Sequence, residues 1–430
     1  MKRGDILRKA VAGLLVVCIL LCLPGCSADK VQQLYHIQEF EPVEKETIIL
    51  EVFAWEDEEK NVRALMDCYA EINPEVSIHL NILPSSEYSQ QMMAIKQGMK
   101  ECDCVFFPNV AEAAVWVDKG VLQTLEPWIQ KETALIDEKK YNGFMLPYRM
   151  SRWAVFYNKA IFDDCGIPYP DSDWTWDEYA QLAVRLTNRV GVNKRYGSLG
   201  FEPTSIWWRV PARTRGAENP LQEEELQKFR ESVEWVYNLT YELEAQQPYT
   251  EQTGSQGKLL NEIFLSGEAA MFFCGDWTVS QLNDLIRENK LDFSYDIAPM
   301  PRWEEEARYA IADAAVIAMT ESTKYPNETF EWIQFVSGPD GAAVLAERGI
   351  IPAWESDEIR GKFLNSSVYP EHMEYFFMND EESTIPASKE YSEAMEIMRD
   401  EVASYLLQEQ DIEQCFENIE QTFQENGLKK

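Results

Sequence analysis

The residues best suited to chemistry in this 430-residue chain are aromatic. Thirteen tryptophans occur, and seven of them fall at expected loop positions outside periodic apolar stripes: Trp55, Trp153, Trp207, Trp208, Trp277, Trp303 and Trp354. An indole face suits the C–H face of a pyranose ring, and nearby Asp, Glu, Asn and Arg side chains can hydrogen-bond hydroxyl groups. Trp277 is the strongest candidate, because it follows Gly275-Asp276 between a predicted strand and a predicted helix.

The sequence lacks the motifs of common catalytic, metal and cofactor sites. Its three histidines, His36, His79 and His372, do not have the HExxH spacing of a zinc hydrolase. There is no GxSxG nucleophile turn, GxxxxGK[ST] phosphate loop or GxGxxG turn. We therefore predict no enzyme activity, metal or cofactor. With 74 acidic residues, the sequence does not exclude a carboxylate pair for glycoside hydrolysis. The six cysteines after Cys26 lack CxxC spacing, which argues against a zinc site, and the sequence does not decide between disulfides and free thiols.

The charge balance limits the class of partner. The chain has 74 acidic and 39 basic residues, a formal net charge of −35. Nucleic-acid binding requires a basic face to meet phosphates, so this balance argues against it. The same acidity keeps the protein body away from an anionic bilayer.

The first 46 residues read as a leader followed by a tether. Basic residues begin the chain, residues 10–23 are mostly apolar, and Leu23-Pro24-Gly25-Cys26 closes the run. This run is too short for a permanent span of a bilayer about 30 Å thick, and it is typical of a bacterial lipoprotein signal. We predict a signal peptide at 1–25, acylation of Cys26, a flexible tether at 26–46 and attachment outside the cytoplasmic membrane by lipid alone. An ordinary signal anchor with an incidental Cys26 is the alternative.

Hydrophobic periodicity predicts an α/β architecture with more than one domain. Residues 47–55 read as a strand and 62–72 as a helix, and strands at 76–82 and 102–107 flank a second helix at 88–99. Such crossovers imply a parallel, doubly wound sheet, whose ligands bind beyond the carboxyl ends of the strands. Here those ends carry Trp55-Glu56 and Pro108-Asn109.

A second body is predicted to begin near Arg152. Residues 152–159 read as a strand, and Thr175 with Glu178 forms a capping box before an apolar helical stripe. Further strands are expected at 270–274, 295–297 and 310–319, and the last hundred residues read as mostly helical.

Several motifs in order resemble one known family. They are the Cys26 lipobox, Lys119-Gly120-Val121-Leu122, Leu146-Pro147-Tyr148, Phe156-Tyr157-Asn158-Lys159, Thr175-Trp176-Asp177-Glu178, Phe264-Leu265-Ser266-Gly267-Glu268-Ala269-Ala270-Met271, Gly275-Asp276-Trp277 and Ala298-Pro299-Met300-Pro301. Together they resemble the extracellular solute-binding proteins of carbohydrate ABC importers, relatives of the maltodextrin-binding protein. Each motif is weak alone, and their order and spacing carry the resemblance.

The resemblance implies a two-lobed periplasmic-binding-protein-like fold. Each lobe is expected to be a mainly parallel sheet flanked by helices, with hinge segments joining them. Lobe 1 would comprise residues 47–150 and 302–338, and lobe 2 residues 151–301 and 339–430. The chain would cross between lobes near 149–153, 299–303 and 338–341.

The resemblance also implies a ligand site between the lobes. Trp277 occupies the family's Gly-x-Trp position, Trp55 and Asn109 match first-lobe loop positions, and Tyr148-Arg149 match hinge-side contacts. Asp313 stands where the family often has glycine, and we expect it to protrude into the cleft. The full predicted set is Trp55, Glu56, Asn109, Tyr148, Arg149, Trp153, Trp207, Trp208, Asp276, Trp277 and Asp313. Arginines at 149, 152, 209, 213 and 215 could favour an anionic ligand, so the sequence does not decide between a neutral and an anionic ligand.

The function implied is capture of a carbohydrate, expected to be an oligosaccharide, and its delivery to an ABC permease. The ligand would favour hinge closure, and ATP hydrolysis would belong to another subunit. We expect a monomer that binds no nucleic acid. The alternatives are a lipid-anchored glycan-processing enzyme and a sugar-sensing or adhesion lipoprotein.

Overall fold

A computed structural model describes residues 47–84, 87–129, 143–190, 194–200, 207–249, 264–291, 293–304, 306–367 and 369–429. The predicted leader, the predicted acylation site Cys26 and the predicted tether lie outside the described residues. None of the described helices is long and apolar enough to cross a membrane.

The described strands are numbered in chain order. They are β1 (Ile48–Trp55), β2 (Val76–Leu83), β3 (Cys104–Phe107), β4 (Met145–Met150), β5 (Trp153–Asn158), β6 (Tyr196–Ser198), β7 (Ala269–Gly275), β8 (Tyr295–Pro299), β9 (Tyr309–Ile311), β10 (Ala314–Met319) and β11 (Glu381–Ser383).

The described α-helices follow in the same order. They are α1 (Glu59–Ile72), α2 (Tyr88–Lys96), α3 (Val110–Asp118), α4 (Lys159–Cys165), α5 (Trp176–Leu186), α6 (Val210–Arg213), α7 (Glu223–Tyr237), α8 (Trp277–Arg287), α9 (Pro326–Ser337), α10 (Pro339–Glu347), α11 (Asp357–Leu364), α12 (Lys389–Leu406) and α13 (Ile412–Glu425). Short 3-10 turns occur at Glu56–Glu58, Trp207–Arg209 and Met373–Phe377, and a π-helical turn at Asn238–Glu242.

The first sheet has the strand order β2-β1-β3-β10-β4. β1 pairs in parallel with β2 and β3, whereas β10 is antiparallel to both β3 and β4. Four strands therefore run in one direction and β10 in the other. The interior strands β3 and β10 are fully buried apolar runs, as expected for strands covered by helices on both faces.

The second sheet has the order β6-β7-β5-β8. β6 and β7 are parallel, and β5 is antiparallel to both of its neighbours. Here too one strand opposes the others, so both sheets are mainly parallel in direction. The predicted α/β fold with two helix-flanked sheets is confirmed.

The helix expected after residue 175 is built as its sequence indicates. The Thr175 side chain accepts a hydrogen bond from the Glu178 backbone N–H, and the Glu178 carboxylate accepts one from the Thr175 backbone N–H. Trp176 and Tyr179 of this helix are fully buried beside Phe273 of β7. They belong to a hydrophobic core, here called the second core, that also includes Val155 of β5 and Ala298 of β8. The predicted capping box is confirmed.

One predicted strand is wrong. The run at 310–319 forms two strands of different sheets, β9 with β11 and β10 with β3 and β4, separated by Ala312-Asp313. The reason is a buried ion pair, since Arg213 holds the Asp313 carboxylate while the Ala312 N–H donates to the Ser383 carbonyl oxygen. The chain turns there from one sheet to the next.

Backbone hydrogen bonds join the segments that pass between the sheets. The Met150 N–H donates to the Ile351 carbonyl oxygen at 3.0 Å, and the Ser151 N–H donates to the Asp313 carbonyl oxygen at 2.8 Å. Trp303 packs with the second core, α10 contacts α1 and β4, and α12 contacts α3. The lobe boundaries at 302 and 339 stay a prediction.

Candidate functional site

A cleft of about 720 Å³ lies where the carboxyl ends of β1, β3, β4 and β7 converge. Its volume falls in the range of about 300 to 1,000 Å³ typical of small-molecule sites. The described lining residues are Trp55, Glu56, Asp57, Glu58, Glu59, Lys60, Asn61, Pro108, Asn109, Arg149, Ser151, Trp153, Trp207, Arg209, Leu265, Trp277, Ser280, Gln281, Asp284, Leu285, Glu288, Asp313, Arg348 and Ile350. Elements of both sheets therefore contribute to one site.

Three tryptophans from the second sheet's elements form an aromatic cluster on one wall. The ring centroids of Trp153 and Trp207 lie 4.5 Å apart, and those of Trp153 and Trp277 lie 5.6 Å apart at 90°. All three rings are half-buried, so each keeps exposed area beside the cleft. Such surfaces suit an apolar ring face with hydroxyl groups at its edge.

Gly275 makes room for the Trp277 ring. A Cβ atom at residue 275 would lie 1.9 Å from Trp277 Cζ3, a distance no non-bonded atoms can adopt. The spacing Gly-x-Trp is thus a packing requirement, because the ring lies directly over the end of β7 and the start of α8.

Arg149 lies in the cleft between aromatic groups of both sheets. Its Cζ is 5.7 Å from the centroid of Trp55 and 5.8 Å from that of Trp277. Its Nη2 is 3.1 Å from Glu58 Oε2, and its Nε donates to Tyr148 Oη at 3.4 Å. Burial alone would lower the pKa of Arg149, yet Glu58 and Tyr148 raise it, so the guanidinium stays charged. Its Nη1 is buried and finds no hydrogen-bond partner among the described residues.

Eight of the eleven predicted site residues line this cleft, and some of their polar groups are already hydrogen-bonded within the protein. Asn109 caps α3, since its Oδ1 accepts from the Glu112 N–H at 2.9 Å and its Nδ2 donates to Glu112 Oε1. The eight are Trp55, Glu56, Asn109, Arg149, Trp153, Trp207, Trp277 and Asp313.

Asp313 reaches the cleft lining with its carboxylate already bound. Arg213 Nη1 and Nη2 donate to its two oxygens at 3.0 and 2.9 Å, and the Ile385 N–H donates to Oδ1 at 3.2 Å. Burial raises the pKa of Asp313, but the Arg213 charge outweighs it and the pKa is lowered overall. Asp313 was expected to protrude into the cleft. Its carboxylate forms an ion pair with Arg213, which fixes the turn between the two sheets.

The remaining three predicted residues lie outside the cleft lining. Tyr148 is buried with its ring 5.1 Å from Phe106 at 87°, and Trp208 is buried against Phe229. Asp276 is fully buried, and its two oxygens accept from the backbone N–H groups of Arg152 at 3.2 Å and Ile351 at 2.9 Å. Packing and backbone pairing account for these three positions.

The other four arginines that could favour an anionic ligand also have partners within the protein. Arg152 donates to Glu382, Arg213 binds Asp313, and Arg215 binds both Glu231 and Glu306. Arg209 Nη1 donates to Tyr391 Oη at 2.8 Å. Among the described lining residues, seven carboxylates face four cationic side chains.

Several lining residues are absent from the predicted set. Four of them follow Trp277 at the spacing of one helix face: Ser280, Gln281, Asp284 and Glu288. The helical period alone would therefore have predicted that they share the cleft with Trp277. Glu58, Lys60 and Asn61 lie directly after Trp55, where the chain turns into α1. Nothing local signals that Glu58 pairs with Arg149, 91 positions later.

The described residues contain neither a cluster of metal-ligating side chains nor a disulfide. No group of three or more His, Cys, Asp or Glu side chains in the described ranges lies close enough to hold a metal ion. The thiols of Cys68, Cys102, Cys104, Cys165, Cys274 and Cys415 are all free, which answers the question the sequence left open.

The fold and cleft define a two-lobed solute-binding protein, and comparison with known proteins names the family. Residues 54–343 match the family described as "Bacterial extracellular solute-binding protein". The chain belongs to this family, as the sequence motifs predict.

Similar proteins share the fold at low identity. A binding protein of Brucella abortus is 21% identical over 69% of this chain and 73% of its own length. A Rhizobium etli sugar transporter in an open conformation aligns with a TM-score of 0.70, at 21% identity, over 86% of this chain and 98% of its own. A Listeria monocytogenes ABC substrate-binding protein in complex with cycloalternan aligns with a TM-score of 0.77, at 18% identity, over 89% and 100%.

Proposed function

We propose that this solute-binding protein captures a carbohydrate in the cleft and delivers it to the permease of an ABC importer. The observation that carries the proposal is the cluster of Trp153, Trp207 and Trp277 at the edge of a cleft of about 720 Å³. Half-buried indole faces beside hydrogen-bonding side chains fit the two faces and the edge of a sugar ring. The volume accommodates an oligosaccharide. The sugar-bound Listeria structure supports this ligand class.

Binding is expected to work by closure of one lobe on the other. Trp55, Asn109 and Glu58 line the cleft from the first sheet's elements, and Trp153, Trp277 and Ser280 from the second's. A ligand that contacts both walls gains its full interaction energy only in the closed arrangement, so it shifts the population toward that state. No covalent step is involved, and the closed form would dock on the permease.

The location and assembly belong to the same proposal. Acylation of Cys26 would hold the monomer on the outer face of the cytoplasmic membrane, with residues 26–46 as a tether. Membrane attachment would depend on lipid alone. Mass spectrometry of the protein recovered from membranes tests this, because an unmodified Cys26 or an uncleaved leader contradicts it.

Isothermal titration calorimetry with a ligand panel tests the binding function. The panel contains neutral mono- to tetrasaccharides, uronates and polyamines, with product analysis by chromatography after each titration. Saturable binding of a neutral oligosaccharide without product supports the proposal. Product formation would favour a glycan-processing enzyme, and the absence of binding to any carbohydrate would contradict the site assignment.

A further inference from the structure

Glu58 is a buried carboxylate in the cleft whose only close cation is Arg149, among the described residues. We propose that Glu58 sets the charge selectivity of the cleft: by neutralising Arg149, it makes the site accept uncharged sugars and reject anionic ones. The inference rests on the proposed carbohydrate-binding function and adds to it the residue that decides the ligand's charge.

The two side chains are held together by burial and by a short hydrogen-bonded chain. The side chains of Glu58 and Arg149 are only 2% and 8% exposed, with Oε2 and Nη2 3.1 Å apart. Asn61 Nδ2 donates to the other Glu58 oxygen at 3.2 Å, and Arg348 Nε donates to Asn61 Oδ1 at 2.9 Å. Glu58 therefore has a fixed position in which both of its oxygens are engaged.

This pairing changes what Arg149 can recognise. A free guanidinium binds a carboxylate with two parallel N–H donors from one edge. Here Nη2 is 3.1 Å from Glu58 Oε2 and Nε donates to Tyr148 Oη, which leaves Nη1 buried and without a hydrogen-bond partner among the described residues. A single donor beside the Trp55 and Trp277 rings suits one hydroxyl or ring oxygen of a stacked sugar.

The surrounding charges act in the same direction. Two of the other three cations of the described lining are paired with carboxylates, Lys60 with Asp284 and Arg209 with Asp313, while Arg348 donates to the neutral Asn61 amide. Glu56, Asp57, Glu59 and Glu288 add negative charge to the described lining. A carboxylated ligand would lose hydration on entry and meet a lining in which, among the described residues, seven carboxylates outnumber four cations.

Affinity measurements on matched ligands test the inference. The probes are maltotriose, cellotriose and mannotriose, each paired with its counterpart in which one C6 hydroxymethyl group is oxidised to a carboxylate. For the wild type, we expect the neutral ligand that binds to exceed its uronate by roughly tenfold or more. In Glu58→Gln, which frees the Arg149 charge, this ratio should fall by roughly tenfold or invert.

Two further variants show whether the effect passes through Arg149. Glu234→Gln removes the same charge outside the cleft lining, where the side chain is exposed and paired with Arg230, so the ratio should change by about threefold or less. In the double variant Glu58→Gln with Arg149→Gln, the gain in uronate binding should disappear. Equal shifts in Glu58→Gln and Glu234→Gln would overturn the inference, as would a gain that persists without Arg149.

The outcomes separate this inference from the proposed function. If no neutral sugar and no uronate binds the wild type, the binding function itself fails. If neutral sugars bind and the wild type accepts uronates equally well, only the role of Glu58 fails. The wild-type ratio stands as a test even where Glu58→Gln does not fold, because a preference for the uronate contradicts the inference alone.

Discussion

Lys60 Nζ lies 2.5 Å from Asp284 Oδ2, and this ion pair joins the first turn of α1 to the far half of α8 across the cleft. Both residues line the cleft, but they belong to elements of different sheets. Opening of the lobes would separate them. We call this pair the cross-cleft ion pair.

The cross-cleft ion pair should contribute modestly to closure. Lys60 is 68% exposed, so water and salt screen the pair, and a coupling energy below about 1 kcal/mol is expected. A double-mutant cycle with Lys60→Gln and Asp284→Asn, read out as ligand affinity, measures it. The coupling should shrink as ionic strength rises, and a coupling that grows with salt would rule out this role.

Removal of the Trp277 ring should weaken ligand binding. Trp277→Ala deletes area and stacking geometry at the cleft wall, so we expect a loss of roughly 1 to 3 kcal/mol in binding free energy. Trp128→Ala is the control, since this half-buried ring stacks near Phe330 outside the cleft and should leave affinity unchanged. A folded Trp277→Ala protein with wild-type affinity would remove Trp277 from the site.

Gly275 should be required for the same wall. Gly275→Ala places a Cβ atom 1.9 Å from the Trp277 ring, so the ring must move and both affinity and thermal stability should fall. Gly361→Ala is matched, because residue 361 lies within α11 and its added Cβ meets nothing within 4 Å. The control should be neutral or stabilise the helix by up to about 1 kcal/mol. Equal effects of the two substitutions would refute the packing argument.

Asp276 should make stability depend on pH. Burial raises the pKa of Asp276 to about 6, against the lowering effects of Arg149 and of the backbone donors at Ile351 and Arg152. The unfolded chain has the ordinary value of about 3.9, so the folded state binds this proton more tightly. Its stabilising contribution is complete below about pH 4 and is lost as pH rises through about 6.

Urea unfolding of the wild type and Asp276→Asn between pH 4 and 7 measures this contribution. The unfolding free energy of the wild type should fall relative to the variant by about 2 kcal/mol over that interval. The difference between the two proteins is the relevant quantity, because other carboxylates titrate in both. A difference that stays constant or rises with pH would contradict the burial of an ionisable Asp276.

The fold was predictable where the signal is local. The alternation in β2, the apolar run of β3 and the Thr175 capping box each record burial or capping within a few residues. The order of motifs then placed Trp55, Trp153 and Trp277 near strand ends, and the structure brings these three to one cleft.

Long-range pairing explains what the sequence did not predict. The strand expected at 310–319 is broken because Asp313 binds Arg213, 100 positions earlier, and no local pattern reports that partner. Asp276 looks like a cleft residue beside Trp277, yet its oxygens accept from Arg152 and Ile351 backbone groups. Glu58 was missed for the same reason, since only the folded chain brings it to Arg149.

A crystal structure of the complex with the tightest-binding oligosaccharide tests the central claim most directly. The account predicts electron density for a sugar ring stacked on Trp277, with one of its oxygens at hydrogen-bond distance from Arg149 Nη1. Both sheets' elements should contact the ligand. A sugar bound elsewhere on the protein, with the cleft occupied by water alone, would contradict the account.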